Sequence, residues 1–174
     1  MGDYPIKWAH VATTRDSVSY QIRPICPEDA LRERAFIAAL SVESRYTRMM
    51  FTMREPSADL VDQLVRVDYH RNMAFVAALG KGDEERFIGV ARYASNEGGG
   101  CEFAVAIADA WQARGVAATL ALSLFDYARI EAIPSLYADI LATNHRMIQL
   151  ARWLGMSVES VPGDPAVLKA CIDL

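Results

Sequence analysis

Polar and apolar positions alternate over Ser17–Ile25, where Val18, Tyr20, Ile22 and Pro24 oppose Ser19, Gln21 and Arg23. A period of two predicts a half-buried strand, and the proline ends it because it has no N–H to give the ladder. Beyond it the period lengthens. Pro27 suits a first helical position, Glu28 and Asp29 make an acidic first turn, and Phe36, Ile37 and Leu40 continue an apolar stripe, so a helix is expected over 27–40. Ser41 opens a second, over Val42–Met50, and Ser57 caps a third with Leu60, Val61, Leu64 and Val65 at helical spacing. Residues 1–16 read as a surface lead-in, since Tyr4, Trp8 and Val11 are too few and too irregular to form an element alone.

In the middle of the chain Met73–Leu79, Arg86–Ala94 and Cys101–Ile107 are short apolar runs separated by Gly80-Lys-Gly-Asp83 and Asn96-Glu-Gly-Gly-Gly100. Three antiparallel strands joined by hairpins are expected. After Gly115 the stripe Val116, Leu120, Leu124, Ala128 restores a helix until Ile133-Pro134, and Leu136–Leu141 reads as a strand. Thr143 is the expected cap of a helix carrying Met147, Leu150, Ala151 and Leu154, with Gly155 at its C-terminal end, and Ser157–Val161 and Ala166–Ile172 are two last strands across Pro162-Gly163-Asp164-Pro165. The order β-α-α-α-β-β-β-α-β-α-β-β has no internal repeat and implies an α+β fold with a mixed sheet, in one domain over 17–174.

Composition narrows the function. With 174 residues, 52% apolar and 23% charged, the chain has the make-up of a globular domain with its own core. No apolar run approaches the ~20 residues that span a bilayer, and the first twenty residues lack a secretory pattern, so a cytoplasmic protein with no membrane partner is expected. Eighteen basic against 22 acidic residues argue against a nucleic-acid partner. Cys26, Cys101 and Cys171 are odd in number and far apart, and His10, His70 and His145 have no metal-ligand spacing, so neither disulfides nor a metal is expected.

The chemistry lies in the strand–loop–helix run Cys101–Leu120. In Gln112-Ala-Arg-Gly-Val-Ala117, Gly115 removes a Cβ where backbone must approach a ligand, and Ala117 keeps the next turn thin. Free N–H groups at a helix start make an anion site, beside the charge of Arg114. By itself this pattern is equally a packed turn. It is neither the glycine fingerprint of a dinucleotide fold nor a P-loop.

Gln112-x-x-Gly115-x-Ala117 resembles the Q/R-x-x-G-x-G/A loop of the GNAT superfamily of acyl-CoA N-acetyltransferases. Ile22-Arg-Pro-Ile25 with Glu28-Asp29, Ser44-Arg-Tyr46, Gly89-Val-Ala-Arg-Tyr93 and Glu102-Phe-Ala-Val105 are similar to the GNAT domain of bacterial protein lysine acetyltransferases. The resemblance covers about residues 18–173. It implies a mostly antiparallel sheet of about six or seven strands, splayed between Cys101–Ile107 and Leu136–Leu141 and flanked by about four or five helices. It also implies acetyl-CoA as acyl donor, with its pyrophosphate on the N–H groups of Gln112, Ala113, Arg114, Gly115, Val116 and Ala117. The pantetheine arm would pair along Phe103, Ala104 and Val105, with a backbone N–H near Val105 polarising the thioester carbonyl.

An amine attacking the thioester must first lose a proton, because a lysine ammonium has a pKa of about 10.4. Glu102, a lone carboxylate in an apolar run, is the candidate base, and the resemblance places the general-base glutamate here; the alternative is a side chain that faces water at the strand start. Asn144 is expected to bind the pantetheine or the departing sulfur, or to begin the helix. The chain departs from many GNAT enzymes at Ala151, where a tyrosine would protonate the thiolate; water, Tyr93 or Tyr127 could substitute. By family analogy the acceptor wall comes from Ser41–Arg54 and Ser157–Pro165, with Arg45, Tyr46, Arg48 and Arg54 either binding an acidic substrate or forming a solvated helix face. Three functions follow: acetyl transfer to a protein lysine, transfer to a small amine, or a non-catalytic acyl-CoA-sensing module, as a monomer or homodimer.

Overall fold

The computed structural model of the chain describes residues 3–49, 56–96 and 100–174. Met50 at the expected end of the second helix, Arg54, and the hairpin residues 97–99 lie outside them. The strands are β1 (His10–Thr13), β2 (Ser19–Pro24), β3 (Asn72–Leu79), β4 (Arg86–Ser95), β5 (Cys101–Ile107), β6 (Ser135–Leu141), β7 (Ser157–Val161) and β8 (Asp164–Asp173). The helices are α1 (Ala30–Ala39), α2 (Val42–Met49), α3 (Ala58–Val65), α4 (Val116–Ile130) and α5 (His145–Trp153). All eight strands form one sheet in the order β1-β2-β3-β4-β5-β6-β8-β7. Every neighbouring pair is antiparallel except β5 and β6, which run parallel.

The strand beyond the expected set is β1, inside the supposed lead-in. It pairs with β2 from His10↔Ile22 to Thr13↔Ser19. Three of its four residues are exposed, so backbone bonds to β2 hold it and no hydrophobic period announces it. The apolar residues before it pack inward: Trp8 meets Tyr127 edge-on at 5.1 Å, and the Tyr4 hydroxyl donates to the Pro24 carbonyl at 2.9 Å.

One face of the sheet is covered by α4, which buries Leu120, Leu124, Phe125 and Ala128; Phe125 meets Phe103 of β5 edge-to-face at 5.1 Å. The other face carries α1 and α3. The first turn of the expected 27–40 helix is a 3₁₀ turn, Pro27–Asp29, and that region buries two carboxylates along with its apolar stripe. Asp29 takes both guanidinium nitrogens of Arg23 at 2.7 Å and the Cys26 N–H at 3.0 Å, while Glu33 pairs with Arg92 of β4 at 2.7 Å. Burial pushes the Asp29 carboxyl up, but the Arg23 and Cys26 hydrogen bonds and the Arg23 charge outweigh it and leave Asp29 below its ordinary range.

The cap of α5 is Asn144 rather than Thr143: its Oδ1 accepts from the Met147 N–H at 3.1 Å. Gly155, at φ +84°, ends the helix as expected, with the Met156 N–H returning to the Ala151 carbonyl at 3.0 Å.

Candidate active site

β5 and β6 pair only at Cys101↔Leu136 and Glu102↔Tyr137. Past that point β6 stays with β8 along its whole length and β5 stays with β4, so the two strands part. The Ala108 N–H donates to the Ile88 carbonyl at 2.9 Å, which sets the phase of the β4–β5 ladder. By the alternation of an antiparallel pair, the N–H and C=O of Val105 then face the gap. Phe103 turns its ring away onto α4, while Ala104 and Val105 are half-buried.

The loop after β5 is a 3₁₀ turn, Asp109–Trp111, followed by Ala113 at φ +60° and Gly115 at φ +92°. Gly115 is the N-cap of α4 and offers no side-chain cap. The N–H groups of Val116, Ala117 and Ala118 meet no acceptor among the described residues, and α4 has no acidic residue in its first turn. An anion would therefore find three converging donors and the positive end of a 15-residue helix. Arg114 flanks them with its guanidinium stacked 4.9 Å over Trp111 and paired with Asp16 at 2.8 Å.

Gln112 braces the loop. Its Nε2 donates to Ser44 Oγ at 3.1 Å and to the Ile107 carbonyl at 3.3 Å, and its Oε1 accepts from Arg146 at 2.5 Å. The Arg146 contact brings the start of α5, and Asn144 with it, to the end of β5. Asp109 extends the bracing to α2 by accepting from the Ser41 N–H at 2.9 Å, Ser41 Oγ at 2.8 Å and Ser44 Oγ at 2.7 Å. Burial raises the Asp109 carboxyl and these bonds more than reverse it, leaving it below its usual range. Nothing in the sequence marks this network, because its members lie 65 and 68 positions apart.

Glu102 sits opposite Ala94 and diagonal to Arg92, on the α1–α3 face of the sheet. It is exposed and carries no hydrogen bond or ion pair among the described residues. Its neighbours Cys101 and Phe103 are buried and point to the opposite, α4-covered face. A groove of about 530 Å³ runs beside it, lined by Asp62, Arg66, Asn72, Arg92 and Ala104 among others. Arg92 forms part of its floor, nearly buried, tied to Glu33 and donating to the Leu64 carbonyl at 3.1 Å.

α3 and β3–β5 line this groove, and Ser157–Pro165 lies in the β7–β8 hairpin at the far edge of the sheet. Arg45 donates to the Leu40 and Ala38 carbonyls at 2.9 and 3.3 Å, holding the C-terminal end of α1, while Tyr46 is exposed. The side chain of Arg48 and all of Arg54 lie outside the described residues.

Asn144 spends Oδ1 on the cap and keeps Nδ2 to donate elsewhere. Ala151 is fully buried. Both alternative phenols donate to backbone: Tyr93 to the His70 carbonyl at 2.8 Å and Tyr127 to the Tyr69 carbonyl at 2.5 Å. Burial, then neighbouring acidic groups, pushes Tyr127 up to about 12 and Tyr93 higher still. The cysteines are free thiols; burial above all drives Cys26 up to about 12 and raises Cys101 as well, so neither is a ready nucleophile.

Comparison with known proteins agrees with this geometry. Residues 20–157 match the family model of the Acetyltransferase (GNAT) domain. The chain is 41% identical over 144 residues to a Pseudomonas aeruginosa acetyltransferase, an alignment covering 82% of this chain and 77% of that protein. The crystal structure of the GNAT domain of S. lividans PAT superposes with a TM-score of 0.90 at 28% identity, covering 99% of this chain and 100% of that one. A cAMP-binding acyltransferase from Mycobacterium smegmatis shares the fold at TM-score 0.63 and 23% identity, matching 95% of this chain and 46% of its own.

Proposed function

Since the chain belongs to the GNAT family of acetyltransferases, acetyl-CoA is its acyl donor, and we propose that its acceptor is a lysine side chain of a protein, deprotonated by Glu102. The observation that carries this reading is the open groove of about 530 Å³ beside an exposed Glu102 that has no partner among the described residues. A site built for a small amine encloses most of its ligand. A groove along β4 and β5 instead admits a lysine together with the chain that bears it.

In this reading the pyrophosphate lies on the loop of residues 112–117, against the N–H groups of Val116–Ala118 that meet no acceptor among the described residues, and the pantetheine runs along Phe103–Val105 in the gap. The neutral amine attacks the thioester carbonyl, the C–N bond forms, the C–S bond breaks, and the electron pair leaves on the CoA sulfur. The Val105 N–H stabilises the developing oxyanion, Asn144 Nδ2 donates to the departing thiolate, and the proton that the attacking nitrogen sheds as the amide forms passes through water to the sulfur. Glu102 lies three residues before Val105, about 10 Å along the strand, so the amine proton reaches it through one ordered water. An acceptor chain lying in the groove supplies the desolvation that the free fold withholds.

The test is acetyl transfer to lysine-bearing peptides and to free small amines, read by mass spectrometry. Peptide lysines are expected to be modified with acetyl-CoA, and Glu102→Gln to lower kcat by about 10²- to 10⁴-fold with little change in KM for acetyl-CoA. Transfer to small amines alone would overturn the acceptor assignment, and undiminished kcat in the variant would overturn the base.

A further inference from the structure

The turn between β1 and β2 is locked against the donor loop. Within it the Thr14 N–H donates to the Val18 carbonyl at 2.9 Å, the Ser17 N–H to the Thr14 carbonyl at 3.0 Å, and the Val18 N–H to Thr14 Oγ1 at 2.9 Å. Thr14 is buried and Ser17 adopts φ +66°, so the turn has one well-defined shape. Two contacts fasten it across sequence: the Arg15 N–H donates to the Arg114 carbonyl at 3.0 Å, and Asp16 pairs with Arg114 at 2.8 Å.

This docking carries the Arg15 side chain past Gly115. A Cβ placed on Gly115 would lie 3.7 Å from Arg15 Cγ and 3.8 Å from its Nε. The Arg15 guanidinium is exposed and makes no ion pair or hydrogen bond among the described residues. The charges around the loop then decide its sign. Asp16 offsets Arg114, the first turn of α4 holds no acid, and Arg15 is left beside Gly115 as a cation with no acid paired to it among the described residues.

We propose that Arg15 is a donor-binding residue that contacts the pyrophosphate of acetyl-CoA, which makes the β1–β2 turn part of the donor site. This inference rests on the reading of residues 112–117 as the phosphate loop. A guanidinium meets a phosphate through short, charge-assisted hydrogen bonds, and here its backbone is already held in place, so little ordering is needed on binding.

The test is binding of CoA, 3′-dephospho-CoA and pantetheine to the wild type and to Arg15→Ala by calorimetry, with Arg15→Lys as the charge-retaining control. Arg15 is exposed, so the alanine variant is expected to fold and melt as the wild type does. The expected result is a roughly tenfold loss for CoA and for 3′-dephospho-CoA alike, no change for pantetheine, partial recovery in the lysine variant, and a gap that narrows with salt. Affinities within twofold of wild type for both phosphorylated ligands would overturn the inference and leave the phosphate loop standing. A loss confined to CoA would also overturn it, by moving the contact to the 3′-phosphate. A wild-type chain that binds none of the three would overturn the loop reading and this inference together.

Discussion

Replacing Gly115 by alanine separates the donor loop from the rest of the fold. The new Cβ would stand at ordinary van der Waals distance from Arg15, 3.7 Å from Cγ and 3.8 Å from Nε, so no clash is built in. The cost is backbone. Gly115 sits at φ +92°, where an L-residue loses about 1–2 kcal/mol, partly offset by the lower entropy of the unfolded chain. A net loss of about 1 kcal/mol lowers the melting temperature of a domain this size by about 2–4 °C. The larger effect is on the ligand. CoA at 100 times its dissociation constant stabilises the wild type by about 2.7 kcal/mol, or about 5–11 °C. If the loop relieves the strain by turning the N–H groups of Val116–Ala118 apart and affinity falls tenfold, the same CoA concentration stabilises by about 1.4 kcal/mol, or about 3–6 °C. Thermal melts of both proteins with and without CoA read the two effects separately. A variant that melts lower on its own yet keeps the full CoA-induced rise would refute the assignment of the loop as the donor site.

Asp109→Asn weakens the three bonds that fix α2 to the donor loop; it is expected to raise KM for acetyl-CoA and for the acceptor by several-fold each while kcat changes less, and steady-state kinetics with either substrate varied checks it. Asp29 makes an acid-stability prediction: its carboxyl lies lower in the folded chain than in the unfolded one, so its contribution is complete above about pH 4 and is lost as pH falls below that. Asp29→Asn leaves Arg23 with Glu85 as its remaining carboxylate partner and is expected to cost about 1–3 kcal/mol at neutral pH, with the gap to wild type closing under acid in urea melts.

The described helices, and every strand except β1, could be read from periodicity and capping, most because they present apolar side chains to a single core, while α2, whose Val42 and Tyr46 are exposed, followed from Ser41 at its start. Boundaries slipped where capping chemistry offered two choices, as at Thr143 and Asn144. β1 escaped because an edge strand held by backbone bonds needs no side-chain pattern. In the site, Gly115 and the loop from Gln112 to Ala117 were legible because a left-handed residue before a helix has few alternatives to glycine. Glu102 was legible as a lone carboxylate in an apolar strand, with a side chain that faces water as the alternative; the choice between them was not legible, since which face of a strand is covered depends on helices far away in the chain.

The amino-acid sequence by itself determined the element order from β2 onward, the strand–loop–helix around Gly115, and the residue types available for acid–base chemistry. These are local properties of spacing and backbone preference. The tertiary structure alone decided where β5 and β6 part, because that depends on β6 pairing with β8 instead. It also decided that Asp109 ties α2 to the loop, that Arg92 and Glu33 are buried together beneath the groove, and that Arg15 and Asp16 reach Arg114 and Gly115 from almost a hundred residues away. Contacts between polar side chains at such separations leave no periodic trace, since each is set by the packing of whole elements rather than by its neighbours in sequence.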